Sequence, residues 1–384
     1  MELYPALLIG GPPHSGKSVL AYSLTQAFRQ LGLQHYLLRS CPDGEGDWAN
    51  ESDQGLVRLI RVKGQYTPTW VEKIGRDIAR RHLPLLVDVG GKPKPEQESI
   101  FGHCTHAVLI APTAEALIEW RGYARRHGLT VLAELESSLT EEAAVFEEGP
   151  IFKARLHGLE RGTTQHNPVF QQLVDKLTPY FTYPSQEIRQ YHLNTDLVET
   201  VIDLEQLART LDVPHKGEQA FWEPKHIPPL LNELPDDVSL GLYGRGPNWL
   251  YAAVAVHCRA APFYQFDPRL GWVEPVTLRL GTLPKDAPII CLPYEARNLA
   301  IYSFGLRYDY LDYLEADGLT VPAPPTDKPL ILNGKIPHWL LTGLSHQYQS
   351  APLLAVHQPQ LEQNVVVSSR LPEFVPGDLC GPRL

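Results

Sequence analysis

Residues 11–18 read Gly-Pro-Pro-His-Ser-Gly-Lys-Ser, a complete G-x-x-x-x-G-K-[ST] pattern, and no other segment constrains the chain as tightly. The pattern needs a strand running into the loop and a helix running out, so that loop N–H groups and the helix N-terminus converge on an anion. Both flanks are present. Leu3–Ile9 is an apolar run that reads as the strand. Ser18–Leu31 carries Val19, Leu20, Leu24 and Phe28 at helical spacing and reads as the helix. Gly11, Pro12, Pro13, His14, Ser15, Gly16, Lys17 and Ser18 are therefore the expected nucleotide-binding residues. Lys17 is placed to reach the β and γ phosphates, and the Ser18 hydroxyl to hold Mg²⁺. ATP and Mg²⁺ are the expected ligands.

Up to about residue 180 the chain alternates short apolar runs with amphipathic segments. Leu37–Leu38, Leu56–Val62, Leu83–Val89, Ala107–Ala111 and Leu129–Leu135 have the character of buried parallel strands. Trp70–His82 and Thr113–His127 read as helices between them, and residues 195–211 as a last helix capped by Thr195 or Asp196. This alternation predicts an α/β domain over 1–212, a P-loop NTPase with a mostly parallel sheet. Pro214, Pro224, Pro228, Pro229 and Pro235 then mark a linker into a second region.

The run Leu85-Leu86-Val87 ends in Asp88, which puts a carboxylate at the edge of the sheet where the phosphate loop lies. Asp88 is expected to hold the Mg²⁺ hydration shell with Ser18, and to act with Lys17 in catalysis. Gly91 would let a backbone amide approach the γ-phosphate. A strand-end Asp that only caps the next turn is the plainer alternative. A phosphotransferase would also need an acceptor base and further cations. Asp43, Glu45 and Asp47, or Arg121 and Arg125, are candidates, although a solvated acidic loop and a charged helix face explain them as well.

Charge and cysteine content exclude other classes. A net charge of −10 and a pI near 5.8 argue against nonspecific coating of nucleic acid, while leaving room for a local basic pocket. The cysteines Cys41, Cys104, Cys258, Cys291 and Cys380 form no C-x-x-C pair, so neither a zinc site nor a disulfide framework is expected. No apolar stretch spans a bilayer and no signal peptide is read, so a cytoplasmic protein with no membrane partner is expected.

The C-terminal half contains a repeat. Gly244-Arg-Gly-Pro-Asn-Trp249-Leu is echoed by Gly334-Lys-Ile-Pro-His-Trp339-Leu, and Ala261-Pro262 by Ala351-Pro352. Asp267-Pro-Arg-Leu-Gly aligns with Gln358-Pro-Gln-Leu-Glu after a one-residue difference in length. Each copy reads as strand, glycine turn, helix through the Trp, strand and Pro turn. Such a duplication predicts a pseudo-twofold axis that brings the two turns near each other. A duplication kept for packing alone is the alternative.

At these residues the chain resembles the small CRISPR-associated ring nucleases of the Csx-three type, strongly over about 240–273 and in eroded form over 330–362. The resemblance implies tandem Rossmann-like units, 213–289 and 290–384, related to the CARF domains. It further implies homo-oligomers and binding of cyclic tetra-adenylate or short RNA, with cleavage supported by a divalent metal such as Mn²⁺. Gly244, Arg245 and Gly246 match the segment that lies against the oligonucleotide, with Gly334 and Lys335 opposite. Asp267 matches the carboxylate used in cleavage, and Arg269 follows it as in the family. The family's functional His is Arg259 in the first copy and Gln349 in the second, and Gln358 and Gln360 replace the Asp and Arg of the second copy. His257, His338 and His346 lie near but off that position and read as structural histidines. Tyr243 and Phe266 could wall the bases.

The function expected is that of a type III CRISPR accessory protein. It would bind cyclic oligoadenylate through its C-terminal tandem and bind or hydrolyse ATP at its N-terminus. The alternative is a small-molecule or nucleotide kinase whose duplication builds an oligomer interface.

Overall fold

In the computed structural model the residues described are 4–40, 68–91, 93–217, 219–235, 237–258, 260–307 and 311–381. The expected strand Leu56–Val62, the acidic candidates Asp43, Glu45 and Asp47, and Arg259 fall outside them. Two compact units form: Met1–His192 with Pro268–Gly271, and Leu193–Asp267 with Trp272–Leu384.

The first unit is α/β. In chain order it contains β1 (Ala6–Gly10), α1 (Lys17–Gln30), β2 (Tyr36–Arg39), α2 (Pro68–Ala79), β3 (Leu85–Asp88), α3 (Pro95–Glu98), β4 (His106–Ala111), α4 (Ala114–Arg126), β5 (Thr130–Ser138), β6 (Ala144–Glu148), β7 (Phe152–His157), α5 (Pro168–Phe181) and α6 (Ser185–Leu193). Its seven strands run in the order β2-β3-β1-β4-β5-β7-β6, all neighbours parallel except β6 with β7. This is the mostly parallel α/β sheet expected of the N-terminal region. β1 and β3 are buried at every position because helices cover both faces. Phe28, Leu132, Leu135, Leu173 and Phe181 are among the residues that fill one side of the core.

The second unit opens earlier than the 212/213 boundary expected from sequence. Residues 195–211 are not one helix. Thr200–Asp203 form a strand, β8, and Leu204–Thr210 a short helix, α7. Val201 and Ile202 are β-branched and favour the strand. Asp203 then starts the helix by accepting from the N–H groups of Glu205 and Gln206. The proline-rich stretch is also part of this unit rather than a bare linker. It holds a small hairpin, β9 (His215–Lys216) with β10 (Gln219–Ala220), and a helix, α8 (Ile227–Asn232). Burial of Trp222, Ile227 and Leu230 anchors it.

Next come β11 (Leu240–Tyr243), α9 (Asn248–His257), β12 (Phe263–Asp267) and β13 (Gly271–Val273). They are followed by β14 (Arg279–Leu280), β15 (Ile289–Glu295), β16 (Ala300–Leu306), α10 (Tyr313–Ala316), β17 (Thr320–Val321), β18 (Leu330–Asn333), α11 (His338–Tyr348), β19 (Leu353–Gln358), β20 (Gln363–Ser369) and β21 (Leu379–Cys380). One sheet has the order β13-β12-β11-β8 and another β15-β16-β18-β19-β20-β21. Both repeats are β–α–β units with parallel strands, β11–α9–β12 and β18–α11–β19. α9 is buried from Trp249 through Ala255, so it is apolar on all sides and cannot remain at a surface. It packs against α11 and against β19 and β20 of the other copy.

Candidate functional site

The phosphate loop leaves β1 at Gly10 and enters α1 at Lys17, as the motif requires. Gly16 caps the helix with φ 85°, and no side chain caps it, as a loop that receives an anion at the helix N-terminus requires. A Cβ on Gly11 would stand 1.9 Å from the Ile110 carbonyl oxygen, so only glycine lets the loop lie this close to β4. Ser15 is buried, and its Oγ has no hydrogen-bond partner among the described residues. Lys17 is buried as well, with Nζ donating to the Pro12 carbonyl at 2.7 Å. Pro13 and His14 are exposed, Pro12 and Ser18 half-buried. A close backbone cradle, an ammonium folded over it and a hydroxyl in the first helical turn are the donor set that suits polyphosphate and Mg²⁺.

Asp88 ends β3 directly beside Ile9 of β1 and Arg39 of β2. It is buried, and Arg39 Nη1 donates to its Oδ2 at 2.9 Å. The Ser40 N–H and Oγ both donate to the Asp88 carbonyl at 2.9 Å. Gly91 comes against the loop, since a Cβ there would meet Pro13 Cγ at 2.5 Å. Asp88 is therefore next to the phosphate loop and already paired with a guanidinium. Arg39 is a residue that sequence reading missed: its role depends on β2 pairing with β3 in one register, which no local pattern reveals. Arg121 grips Glu134 through two bonds, 2.6 and 2.7 Å, while Arg125 is exposed on the solvent face of α4.

In the second unit the two glycine turns have the same construction. Gly244 (φ 114°) and Gly334 (φ 132°) follow β11 and β18, and Pro247 and Pro337 cap α9 and α11. A Cβ on Gly334 would fall 1.8 Å from the Phe304 carbonyl oxygen, so this turn admits only glycine. Arg245 and Lys335 are exposed on the two turns, and Gly246 is half-buried.

A contact between the copies joins the turns. The Tyr251 hydroxyl of α9 donates to the Gly244 carbonyl. Its ring meets the His338 ring, at the start of α11, edge-on with centroids 4.4 Å apart. His338 Nδ1 is buried and has no hydrogen-bond partner among the described residues. Burial lowers the His338 pKa, and the Asp267 charge opposes that shift. Burial raises the Tyr251 pKa, with Asp267 and Tyr243 adding to it. Asp267, Tyr251 and His338 thus share one electrostatic neighbourhood. Beside it Tyr243, Phe266 and Trp272 form an aromatic group, with centroids 5.2 to 6.2 Å apart.

Not every expected residue joins this group. Arg269 lies in the Pro268–Gly271 turn, which is compact with the first unit, and its Nε stands 3.7 Å from Asp77 Oδ2. His346 has the structural role expected of it, with Nε2 bonded to the Ala255 carbonyl at 2.7 Å, and His257 is exposed. His338 differs from both. No cluster of three or more His, Cys, Asp or Glu suited to a metal occurs among the described residues. Nor is any helix among them long and apolar enough to cross a membrane.

Comparison with known proteins adds one family. Residues 307–381 match the model described as CRISPR-associated protein (Cas_csx3). The match falls within the second copy, 290–384, although the resemblance read from sequence is strongest over 240–273. No curated protein matches the chain. Solved structures similar to it include the septum site-determining protein MinD complexed with Mg-ADP from Pyrococcus horikoshii OT3. That similarity has 10% identity and a TM-score of 0.29, over 35% of this chain and 70% of that one.

Proposed function

We propose that this chain is an accessory protein of a type III CRISPR system that binds cyclic oligoadenylate at its paired glycine turns and hydrolyses ATP at its phosphate loop. The observation that carries this reading is the Tyr251–His338 contact, which links the two turns inside a unit whose second copy matches the Csx3 family. Backbone amides at the turns, with Arg245 and Lys335 beside them, suit the phosphates of a small ring. The half-buried aromatic rings of Tyr243 and Phe266 offer a surface on which bases can stack. Two related turns also suit a ligand that is itself close to symmetric, cyclic tetra-adenylate being the ring of choice.

At the phosphate loop, Lys17 would hold the β and γ phosphates, while Ser18 and Asp88 would hold Mg²⁺, which when bound neutralises charge on the phosphates. For Asp88 to serve, the Arg39 guanidinium must share the carboxylate with the metal shell or release it. Self-association of the whole chain belongs to the same reading.

Titration of the purified full chain with cyclic tri-, tetra- and hexa-adenylate, with and without ATP and Mg²⁺, tests the proposal. Saturable binding of one ring size at micromolar concentration supports it. A protein that binds none of the rings, yet transfers phosphoryl groups to a metabolite, would overturn it.

A further inference from the structure

We infer that His338, supplied by the second copy, is the proton acceptor for phosphodiester cleavage at the turn of the first copy, a role that rests on the ring-binding reading above. The two copies hold complementary halves of what such a reaction needs. The first retains Asp267, where the second has Gln358. The second has His338 at the helix start, where the first has Asn248. Neither copy alone has both a carboxylate and an imidazole at these positions.

The fold brings the halves together. The edge-on contact with Tyr251 fixes the plane of the His338 ring, and the hydroxyl of that same Tyr251 is held by the Gly244 carbonyl. The imidazole is thereby tied to the turn that bears Arg245. A buried nitrogen with no partner is costly in a structure unless something arrives to use it or its burial has another purpose. His346, about two turns further along the same helix, illustrates the ordinary case, with its ring nitrogen bonded to a carbonyl. Because His338 is kept neutral near pH 7, it is in the form that accepts a proton. The groups that act on it electrostatically are the Asp267 carboxylate and, through ring contact, Tyr251. Asp267 would stabilise the imidazolium once it forms.

The step balances without a redox partner. A ribose 2′-hydroxyl gives its proton to His338 as its oxygen bonds to the adjacent phosphorus. The bond from phosphorus to the 5′-oxygen breaks, its electron pair staying on that oxygen, which takes a proton from water. His338 then returns its proton to the hydroxide left behind. The product is one linear chain with a 2′,3′-cyclic phosphate at one end and a 5′-hydroxyl at the other, isomeric with the ring.

The test uses the full chain, cyclic tetra-adenylate, and the variants His338→Asn and His338→Gln, with ring affinity and cleavage rate measured separately between pH 5 and 8. The parent should cleave slowly, with a rate that falls at acidic pH as His338 becomes protonated. His338→Asn should bind the ring within about threefold of the parent and cleave at least about a hundredfold more slowly, without the acidic limb. A folding defect would show as a lower thermal midpoint in both variants and as lost affinity. Cleavage by either folded variant at the parental rate overturns the assignment of His338. A parent that binds the ring but leaves it intact overturns it also, while ring binding itself stands. Absence of any ring binding by the parent instead removes the reading on which the inference rests.

Discussion

The phosphate loop and the paired turns of the second unit use one device, a glycine turn between a parallel strand and a helix, in opposite ways. In the loop the cation is internal: Lys17 is buried and folded onto the Pro12 carbonyl. At the paired turns the cations Arg245 and Lys335 are exposed, and the polar groups behind them are the buried Tyr251 and the half-buried His338, whose Nδ1 is buried. The loop is contained in one segment of eight residues, 11–18. The paired turns are assembled from two copies of a β–α–β unit. A contiguous loop forms wherever its strand and helix form, and only its proposed Mg²⁺ partner Asp88 comes from another strand. An assembled site exists only while two copies remain packed, and each copy is free to lose what the other keeps.

The largest expected effect tests whether the loop is self-contained. Lys17→Ala removes the charge that faces the β and γ phosphates, and ATP turnover should fall by about 1,000-fold or more. Ring affinity should be unchanged, because Lys17 belongs to the first unit and the paired turns to the second. Parallel measurement of ATP hydrolysis and ring binding on one preparation separates the two outcomes. Parental hydrolysis by this variant would remove the loop from catalysis.

Next in size is the exchange of charge at the turns. Arg245→Glu puts a carboxylate where a phosphate is to sit, and ring affinity should drop about a hundredfold. Lys335→Glu tests the same point on the second turn and should have a similar effect if the turns act as a pair. A loss confined to Arg245 would mean that only the first copy binds, and the comparison would have to be redrawn around a single turn. ATP hydrolysis without ring is the control that should not move.

What the sequence disclosed follows the same division. The phosphate loop, β1, α1, β4 and α4 are legible because period, cap and motif agree over short spans. The segment 195–211 differs from the expected helix: its spacing suits one, while Val201 and Ile202 pair with β11 in a sheet that only the tertiary structure supplies. Arg39 could not be assigned to Asp88 without the register of β2 on β3. The repeat itself was visible from Gly, Pro and Trp, the residues whose backbone and packing demands are strictest. The Tyr251–His338 contact was not, since Asn248 and Leu341 stand at the equivalent places in the opposite copies and break the internal symmetry.

The two turns should also differ in their tolerance of a side chain. Gly334→Ala drives a Cβ into the Phe304 carbonyl oxygen at 1.8 Å, in addition to the strain of φ 132°. It should destabilise the second unit by on the order of 3 kcal/mol. Gly244→Ala meets Leu204 Cβ at 3.2 Å, a contact that a small shift relieves, and should cost roughly 1–2 kcal/mol, mostly from the φ of 114°. Urea denaturation followed by tryptophan fluorescence would rank the pair. Equal costs would show that Phe304 yields more readily than its place in β16 implies.

The smallest effect isolates the link between the copies. Tyr251→Phe keeps the ring against His338 and deletes only the hydroxyl that bonds the Gly244 carbonyl. The lost bond is a neutral one to a carbonyl that has access to water at a half-buried turn, so the change should cost about 1 kcal/mol of stability. Ring affinity should fall by a similarly small factor, because the turn loses a brace but no ligand contact. Tyr251→Ala removes the ring as well, and the excess of its effect over that of Tyr251→Phe measures the aromatic contact with His338. If the two variants bound the ring alike, the hydroxyl alone would couple the turns. If Tyr251→Phe left affinity and stability untouched while Tyr251→Ala reduced both, the coupling would lie in ring packing, and the position of His338 rather than that of Gly244 would set the site.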